Sequence, residues 1–298
     1  MSSKKKTECR VCGYRFTPER ENVYMAEEPR SAADIMTTEI ALRPSYWASV
    51  SGGKDSLYML NFILHNLDRY PLDGVVHFEL EIDYPFIHDV IDYMESECKR
   101  FGIRFVRIKP RKTWEELYYS FSKTGRMRGF PMRKARWCNS DYKLDAKRQL
   151  SEWLNSLGYY IIDYIGYCAD EERRFNKRLT AQKAERYPLA ENGITEDGIW
   201  EWAKTQPIFN HYYETNKRCG CMYCPMSSYL SYAYLCKYYP DNFSFMIEKM
   251  RETERLREAE LGRPFSVISS NPKYNADYLE TIIKTKWLKK LNEMEVRD

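Results

Sequence analysis

Apolar positions along the chain switch between two periods. Residues 46–50 form a short run of β-leaning composition that stops at Ser51-Gly52-Gly53-Lys54-Asp55-Ser56. Directly afterwards Leu57, Met59, Leu60, Ile63, Leu64 and Leu67 recur at helical spacing. The local prediction is strand, glycine turn, helix. The alternation continues with strands over 74–80, 105–108 and 159–167 and helices over 87–101, 114–121 and 143–157, Pro110 closing the third strand. Strands alternating with helices predict an α/β fold, a doubly wound and mostly parallel sheet. Ligands of such folds bind at the C-terminal ends of the strands, where the glycine turn falls. Beyond residue 229 the pattern becomes helical and strongly charged, and exposed amphipathic helices are expected over 242–261 and 279–294. Residues 1–30 are polar, and a short helix over 35–42 is ended by Pro44.

Composition adds limits. The chain has 298 residues, 43% of them hydrophobic, enough for one large domain with appendages. Its 25 tyrosines read as packing groups that bury the ring and satisfy the hydroxyl. A net charge of +4 is too small to imply a polyanionic partner by itself. No apolar run approaches the roughly 20 residues of a membrane span. The basic N-terminus has no apolar stretch after it, so no secretory signal is expected and the chain reads as cytoplasmic.

The glycine turn carries the first chemistry. Two consecutive glycines allow backbone angles closed to other residues. Successive N–H groups can then converge into an anion nest at the positive end of the following helix. Lys54 adds a point charge, Ser51 and Ser56 add hydroxyls, and Asp55 can hold Mg²⁺ or order the loop. The string departs from the Walker pattern and from the dinucleotide fingerprint. His65, His77, His88 and His211 show no ligand or triad spacing, and no Gly-x-Ser-x-Gly or His-Glu-x-x-His pattern occurs.

Ser51-Gly52-Gly53-Lys54-Asp55-Ser56 resembles the PP-loop of the adenine-nucleotide α-hydrolase superfamily. Within it the chain is similar to the phosphoadenosine phosphosulfate (PAPS) reductase-like branch. Arg136-Trp137-Cys138 followed by Lys143, Gly166–Glu171 followed by Arg173 and Arg174, and Arg218-Cys219-Gly220-Cys221-Met222-Tyr223-Cys224-Pro225 match that branch's segments in order. The resemblance covers roughly residues 45–226. It implies ATP held by Ser51, Gly52, Gly53, Lys54, Asp55 and Ser56 with Mg²⁺. It also implies cleavage between the α and β phosphates, with Lys54 and Asp55 in catalytic positions. Substrate contacts are expected from Arg136, Trp137, Lys143, Arg174 and Arg218. Cys138 is expected to be structural, a cluster ligand or a sulfur-carrying thiol. Two departures stand out: Cys168 replaces an arginine common in the branch, and residues 237–298 hold no cysteine of the kind the assimilatory reductases carry in a mobile tail.

The nine cysteines are clustered, which in a reducing compartment suggests metal or redox chemistry. Cys9-x-x-Cys12 and Cys221-x-x-Cys224 are two knuckles whose thiolates suit one tetrahedral Zn²⁺. The rival set, Cys138, Cys219, Cys221 and Cys224, suits a [4Fe-4S] cluster. Cys98 and Cys236 read as core filling. Arg126, Arg128, Arg133, Lys134 and Arg136 form one basic group, and Arg173, Arg174, Lys177, Arg178, Lys183 and Arg186 a second, interleaved with acids. Both follow strands on the edge expected to carry the nucleotide, and the first reads as a funnel for a phosphate-bearing substrate.

The expected organisation is an N-terminal arm with a Cys knuckle (1–35), a nucleotide-binding domain (36–228) and a helical extension (229–298). The expected activity is AMP- and pyrophosphate-forming activation of a substrate in sulfur transfer or nucleic-acid thiolation. The expected partners are a nucleotide substrate, tRNA or DNA, and a sulfur-donor protein, with no membrane. Two alternatives are a sulfonucleotide reductase, against which the cysteine-free 237–298 speaks, and a non-catalytic nucleotide- or nucleic-acid-binding module, against which Lys54 and Asp55 speak.

Overall fold

A computed structural model describes residues 7–8, 15–16, 42–172, 174 and 184–296. Of the expected helix over 35–42 all but residue 42 lies outside the described residues, as do the Cys9–Cys12 knuckle, Arg173, Lys177, Arg178 and Lys183. A two-stranded antiparallel ribbon pairs β1 (Thr7–Glu8) with β2 (Arg15–Phe16), one strand on each side of the knuckle in sequence.

The main sheet has five strands: β3 (Arg43–Val50), β4 (Gly74–Phe78), β5 (Phe105–Ile108), β6 (Tyr159–Tyr164) and β7 (Glu185–Arg186). Their order is β5-β4-β3-β6-β7 and every pairing is parallel. The chain moves outward from β3 to β4 to β5, then returns to place β6 on the other side of β3. That reversal makes a topological switch point between β3 and β6, where such sheets open a crevice beyond their strand ends.

Both faces are covered, as the doubly wound reading requires. Alternate residues of β3 and β4 point to opposite sides. Ala48, Val50 and Val75 join the larger core beneath α1 (Lys54–Leu64) and α2 (Pro85–Arg100). Trp47 and Val76 join Val106, Ile108, Ala146, Leu150 and Leu154 beneath α4 (Leu144–Ser156). Helix α1 forms because Leu57, Leu60, Ile63 and Leu64 fall on one stripe. Truncating the fully buried Ile63 to Ala costs about 2–5 kcal/mol. Helix α3 (Trp114–Tyr118) is started by a capping box between Thr113 and Glu116, which satisfies two N–H groups of its first turn.

The tyrosines behave as packing groups with anchored hydroxyls. Tyr118 donates to the Lys249 carbonyl at 3.0 Å, Tyr164 to that of Pro71 at 3.0 Å, and Tyr212 to Ser231 Oγ at 3.0 Å. Between β6 and the C-terminal helices lie α5 (Pro188–Glu191), α6 (Glu196–Lys204) and α7 (Tyr212–Thr215).

Helices α8 (Tyr229–Tyr238), α9 (Pro240–Leu261), α10 (Ala276–Ile282) and α11 (Leu288–Glu295) complete the chain. The segment over 242–261, expected as an exposed helix, instead buries Phe243, Met246, Ile247, Met250, Thr253 and Glu254. Its charge hid this, because buried Glu254 accepts from the N–H groups of Val267 and Ala276 rather than facing water. These helices share one continuous core with α1 and α2. No helix among the described residues is long and apolar enough to cross a membrane.

Candidate functional site

The loop after β3 is closed by its own serines. Ser56 Oγ donates to the Gly53 carbonyl at 2.9 Å and accepts from the Ser51 N–H at 3.2 Å. Ser51 Oγ in turn accepts from the Gly53 N–H at 3.4 Å. Gly52 has φ +74° and lies against Ile87, where an added Cβ would come within 2.7 Å of Cγ2. Only glycine fits that turn. The Lys54 N–H donates to buried Tyr213 Oη at 3.1 Å. The other N–H groups of the first turn of α1 have no carbonyl partner inside the helix and remain for an anion.

A cleft of about 360 Å³ opens at the switch point. Ser51, Gly53, Lys54, Asp55 and Ser56 line one wall, and Gly166, Tyr167, Glu171, Arg174, Arg218 and Cys219 the other. Gly166 sets its width: a Cβ there would stand 3.1 Å from the Asp55 carbonyl oxygen. The glycine loop and the 166–171 segment are thus in backbone contact.

Three cations of the cleft are matched by carboxylates, while Lys217, which lines it too, has no ionic partner among the described residues. Lys54, whose side chain is 4% exposed, donates to Asp55 Oδ1 at 2.6 Å and to Glu196 Oε1 at 3.3 Å. Burial alone would lower its pKa; the two carboxylates outweigh burial and hold the ammonium above its ordinary value. Burial holds the Asp55 carboxyl above its usual range, with Lys54 opposing. Glu171 accepts from Arg174 at 2.5 Å and from Arg218 at 2.8 Å. Asp170 accepts from the Glu196 N–H at 3.2 Å and ties α6 to the same wall. Glu196 and Tyr213 complete the site, yet nothing in the sequence marked them. They arrive from α6 and α7, 142 and 159 residues from Lys54.

Cysteines gather beside the cleft. A π-helical turn over Cys138–Lys143 precedes α4. Its wider winding brings residues five apart toward one side, as π-turns at functional sites often do. Lys143 is held above its ordinary pKa, first by Cys221 and then, against burial, by Asp83, Cys224 and Cys138. The Cys221 thiol is held well above its usual range, first by its hydrogen bond with Cys224 and then by burial. Cys224 lies below the usual thiol range because of that bond, with the Met226 N–H, Lys143 and Arg136 assisting against burial. Burial pushes the Cys138 thiol up, and pushes Cys219 up to about 12. The Asp83 carboxyl is raised to about 6, by burial with Lys143 opposing.

Among the described residues no cysteine is in a disulfide, and no group of three or more His, Cys, Asp or Glu side chains is laid out to hold a metal ion. The donor chemistry suits Zn²⁺ or an iron–sulfur group. Among the described residues a lysine ammonium stands beside these sulfurs, and two of them are hydrogen-bonded to each other. The proposed zinc set has Cys221 and Cys224 here and Cys9 and Cys12 outside the described residues. The rival set, Cys138, Cys219, Cys221 and Cys224, lies wholly around Lys143.

The remaining expected contacts divide. Lys54, Arg174 and Arg218 meet in the cleft. Lys143 and Arg136 belong to the cysteine side. Trp137, expected against substrate, is 7% exposed, packs on Trp114 at 5.6 Å and donates to the Gly129 carbonyl at 3.0 Å. Its ring is core, and offers no face to a base. Cys168, in the place of an arginine, is also buried.

An α/β sheet with a polar crevice at its switch point, lined by a glycine loop and flanked by thiols, is the class that fold and site define. No protein-family model matches the chain. It is 26% identical over 220 residues to the uncharacterised protein MJ0973 of Methanocaldococcus jannaschii, covering 68% of this chain. The alignment takes in 47% of that relative, so the chain spans about half the length of the curated protein it matches. Among solved structures it is similar to the U34-tRNA thiolase NcsA from Methanococcus maripaludis with its [4Fe-4S] cluster. The TM-score there is 0.36 at 17% identity, over 76% of each chain. The two share too little for that enzyme's cluster or substrate to transfer to this chain.

Proposed function

We propose that the chain is a PP-loop enzyme of the PAPS reductase-like kind that binds ATP with Mg²⁺ and cleaves it between the α and β phosphates. The cleavage activates an acceptor for sulfur transfer or nucleic-acid thiolation. The observation that carries this reading is Lys54. It is a buried cation at the start of a helix, beside a serine-closed glycine loop and at the mouth of a cleft large enough for a polyphosphate. In the reaction an acceptor oxygen attacks the α-phosphorus, pyrophosphate leaves, and the acceptor is held as its adenylate. Lys54 neutralises charge growing on the departing pyrophosphate, and Arg174 and Arg218 hold the remaining anion. A sulfur nucleophile then displaces AMP. That nucleophile is the outer sulfur of a persulfide that a sulfur donor forms on Cys138, Cys221 or Cys224. Its attack leaves the acceptor in a disulfide with the chain. A second of these thiols attacks that disulfide to release the thiolated acceptor, and an external thiol reduces the cysteine pair left behind, with Lys143 favouring a thiolate among them. No step is routed through a metal cluster or Zn²⁺.

The charge balance of the cleft favours this reading over a sulfonucleotide reductase. Lys54, Arg174 and Arg218 are already answered by Asp55, Glu171 and Glu196. A bare anion must displace those carboxylates or rest on Lys217 alone, the one lining cation without an ionic partner among the described residues. A polyphosphate carrying a divalent ion brings a cation they can face. The test is the product mixture from ATP labelled at the α-phosphate. The expected result is AMP and pyrophosphate, falling about 10²–10³-fold in Lys54→Ala. ADP as sole product, or turnover indifferent to Lys54, contradicts the proposal.

A further inference from the structure

Between Glu116 and Asp141 the chain carries no acidic residue, and in that stretch stand Lys123, Arg126, Arg128, Arg133, Lys134 and Arg136. The structure shapes this segment into two tight turns. The first is closed by the Phe121–Met127 bridge, with the Ser122 N–H donating to the Arg126 carbonyl at 2.7 Å. The second is closed by the Met132–Ala135 bridge, whose backbone groups exchange hydrogen bonds of 3.0 and 3.2 Å. Lys123 and Arg126 project from the first turn and Arg133 and Lys134 from the second, all exposed.

The turns are fastened from behind. The Phe130 N–H donates to Thr253 Oγ1 at 2.7 Å, and Arg257 donates to the carbonyls of Met127 and Arg128. Arg128 is spent on Asp141 and Arg126 stands 3.9 Å from Glu260. Lys123, Arg133, Lys134 and Arg136 have no ionic partner among the described residues. A surface kept merely soluble mixes both signs; here four of the six cations stand unanswered on a fixed frame.

Two further features give the patch a direction and a ligand. Arg133 Nε donates to the Pro225 carbonyl at 3.3 Å, and Arg136 acts on Cys138 and Cys224, so the strip ends at the cysteine site. At its other end Phe121 is 67% exposed. An exposed ring beside unpaired cations fits a strand whose phosphates meet the cations and whose unstacked base lies on the ring. A duplex offers the phosphates and withholds the base.

We propose that the 121–136 face binds single-stranded nucleic acid and leads it toward the cysteine site. This rests on the thiolation reading above and names its acceptor class. RNA and DNA strands share the recognised chemistry.

The test is fluorescence anisotropy of the full chain with a labelled oligouridylate, the matching oligothymidylate and a DNA duplex of equal length. Single strands should bind with a log–log salt slope near −3, from about −0.7 for each of four phosphate contacts. Arg133→Glu/Lys134→Glu and Phe121→Ala should each weaken binding about tenfold or more, with circular dichroism unchanged. A preference for one strand type that these variants abolish supports the proposal and names the source. Duplex binding as tight as single-strand binding with Phe121→Ala silent, or no strand binding at low salt, overturns it. ATP binding measured on the same preparations separates the two readings. A wild-type chain that binds ATP and no strand sinks this inference alone, and a wild-type chain that binds strands and no ATP sinks the ATP reading alone.

Discussion

The cleft and the cysteine site lie side by side and hold their cations in opposite ways. In the cleft three of the four lining cations lean on a carboxylate within 3.6 Å, Lys54 on Asp55 and Glu196, Arg174 on Glu171, Arg218 on Glu171 and Glu196, and Lys217 alone has none among the described residues. In the cysteine site one lysine, Lys143, stands among sulfurs with Asp83 as its carboxyl neighbour. The first arrangement keeps charges in place for a ligand that brings both signs. The second holds a cation against groups that become anionic only when a thiol ionises. Cys219 touches both, lining the cleft while facing Asp83, Lys143 and Cys224. A nucleotide-activated acceptor and a sulfur nucleophile would therefore meet near that residue.

This contrast can be broken in four ways, from the largest effect down. Thiol reactivity comes first. Near pH 7, limited iodoacetamide treatment followed by mass spectrometry should label Cys224 more than tenfold ahead of Cys236, whose thiol burial raises. Equal labelling would remove the thiolate from the account. Gly166→Ala comes next. Its methyl group would press on the Asp55 carbonyl and weaken ATP binding about tenfold, an overpacked contact costing ~1–3 kcal/mol. Calorimetric titration would read the loss, and unchanged affinity would show the cleft wall to be adaptable.

Glu171→Gln sharpens the charge argument. Freed of its acid, the Arg174–Arg218 pair should bind ATP without Mg²⁺ about fivefold more tightly than the wild type does, which shrinks the metal dependence. A variant that binds less tightly in metal-free buffer would count against the balance. The smallest effect is on stability. His77 pairs in register with Val50 at the root of the loop, and burial lowers its pKa from 6.5 to about 4. Between those values the unfolded chain takes a proton that the folded chain refuses. The contribution is therefore full above pH 6.5 and is lost as pH falls toward about 4. Denaturant midpoints should drop over that window, and His77→Gln should flatten the drop.

What was legible in the sequence was local. The glycine loop needs only its strand, two glycines and the first turn of α1, all within about twenty consecutive residues, so pattern and structure agree there. The alternating elements were legible for the same reason, with β6 ending at Tyr164 rather than 167 and β4 at Phe78 rather than 80. Three things were not. Glu196, Tyr213 and Asp83 carry no motif and become site residues only when distant segments fold together. The π-turn of Cys138–Lys143 shifts a lysine onto the cysteines, which an α-helical reading of 143–157 does not show. The charges of 242–261 hid a buried face, and Trp137 beside a cysteine and an arginine looked like a binding residue while serving the core.

Calorimetric titration of ATP into the wild type and Lys54→Ala, each with and without Mg²⁺, tests the central claim most directly. The account predicts binding to the wild type that weakens sharply when Mg²⁺ is chelated, and no measurable binding to Lys54→Ala. ATP binding that ignores Lys54, or a metal-free sulfonucleotide held more tightly than Mg²⁺-bound ATP, would contradict it.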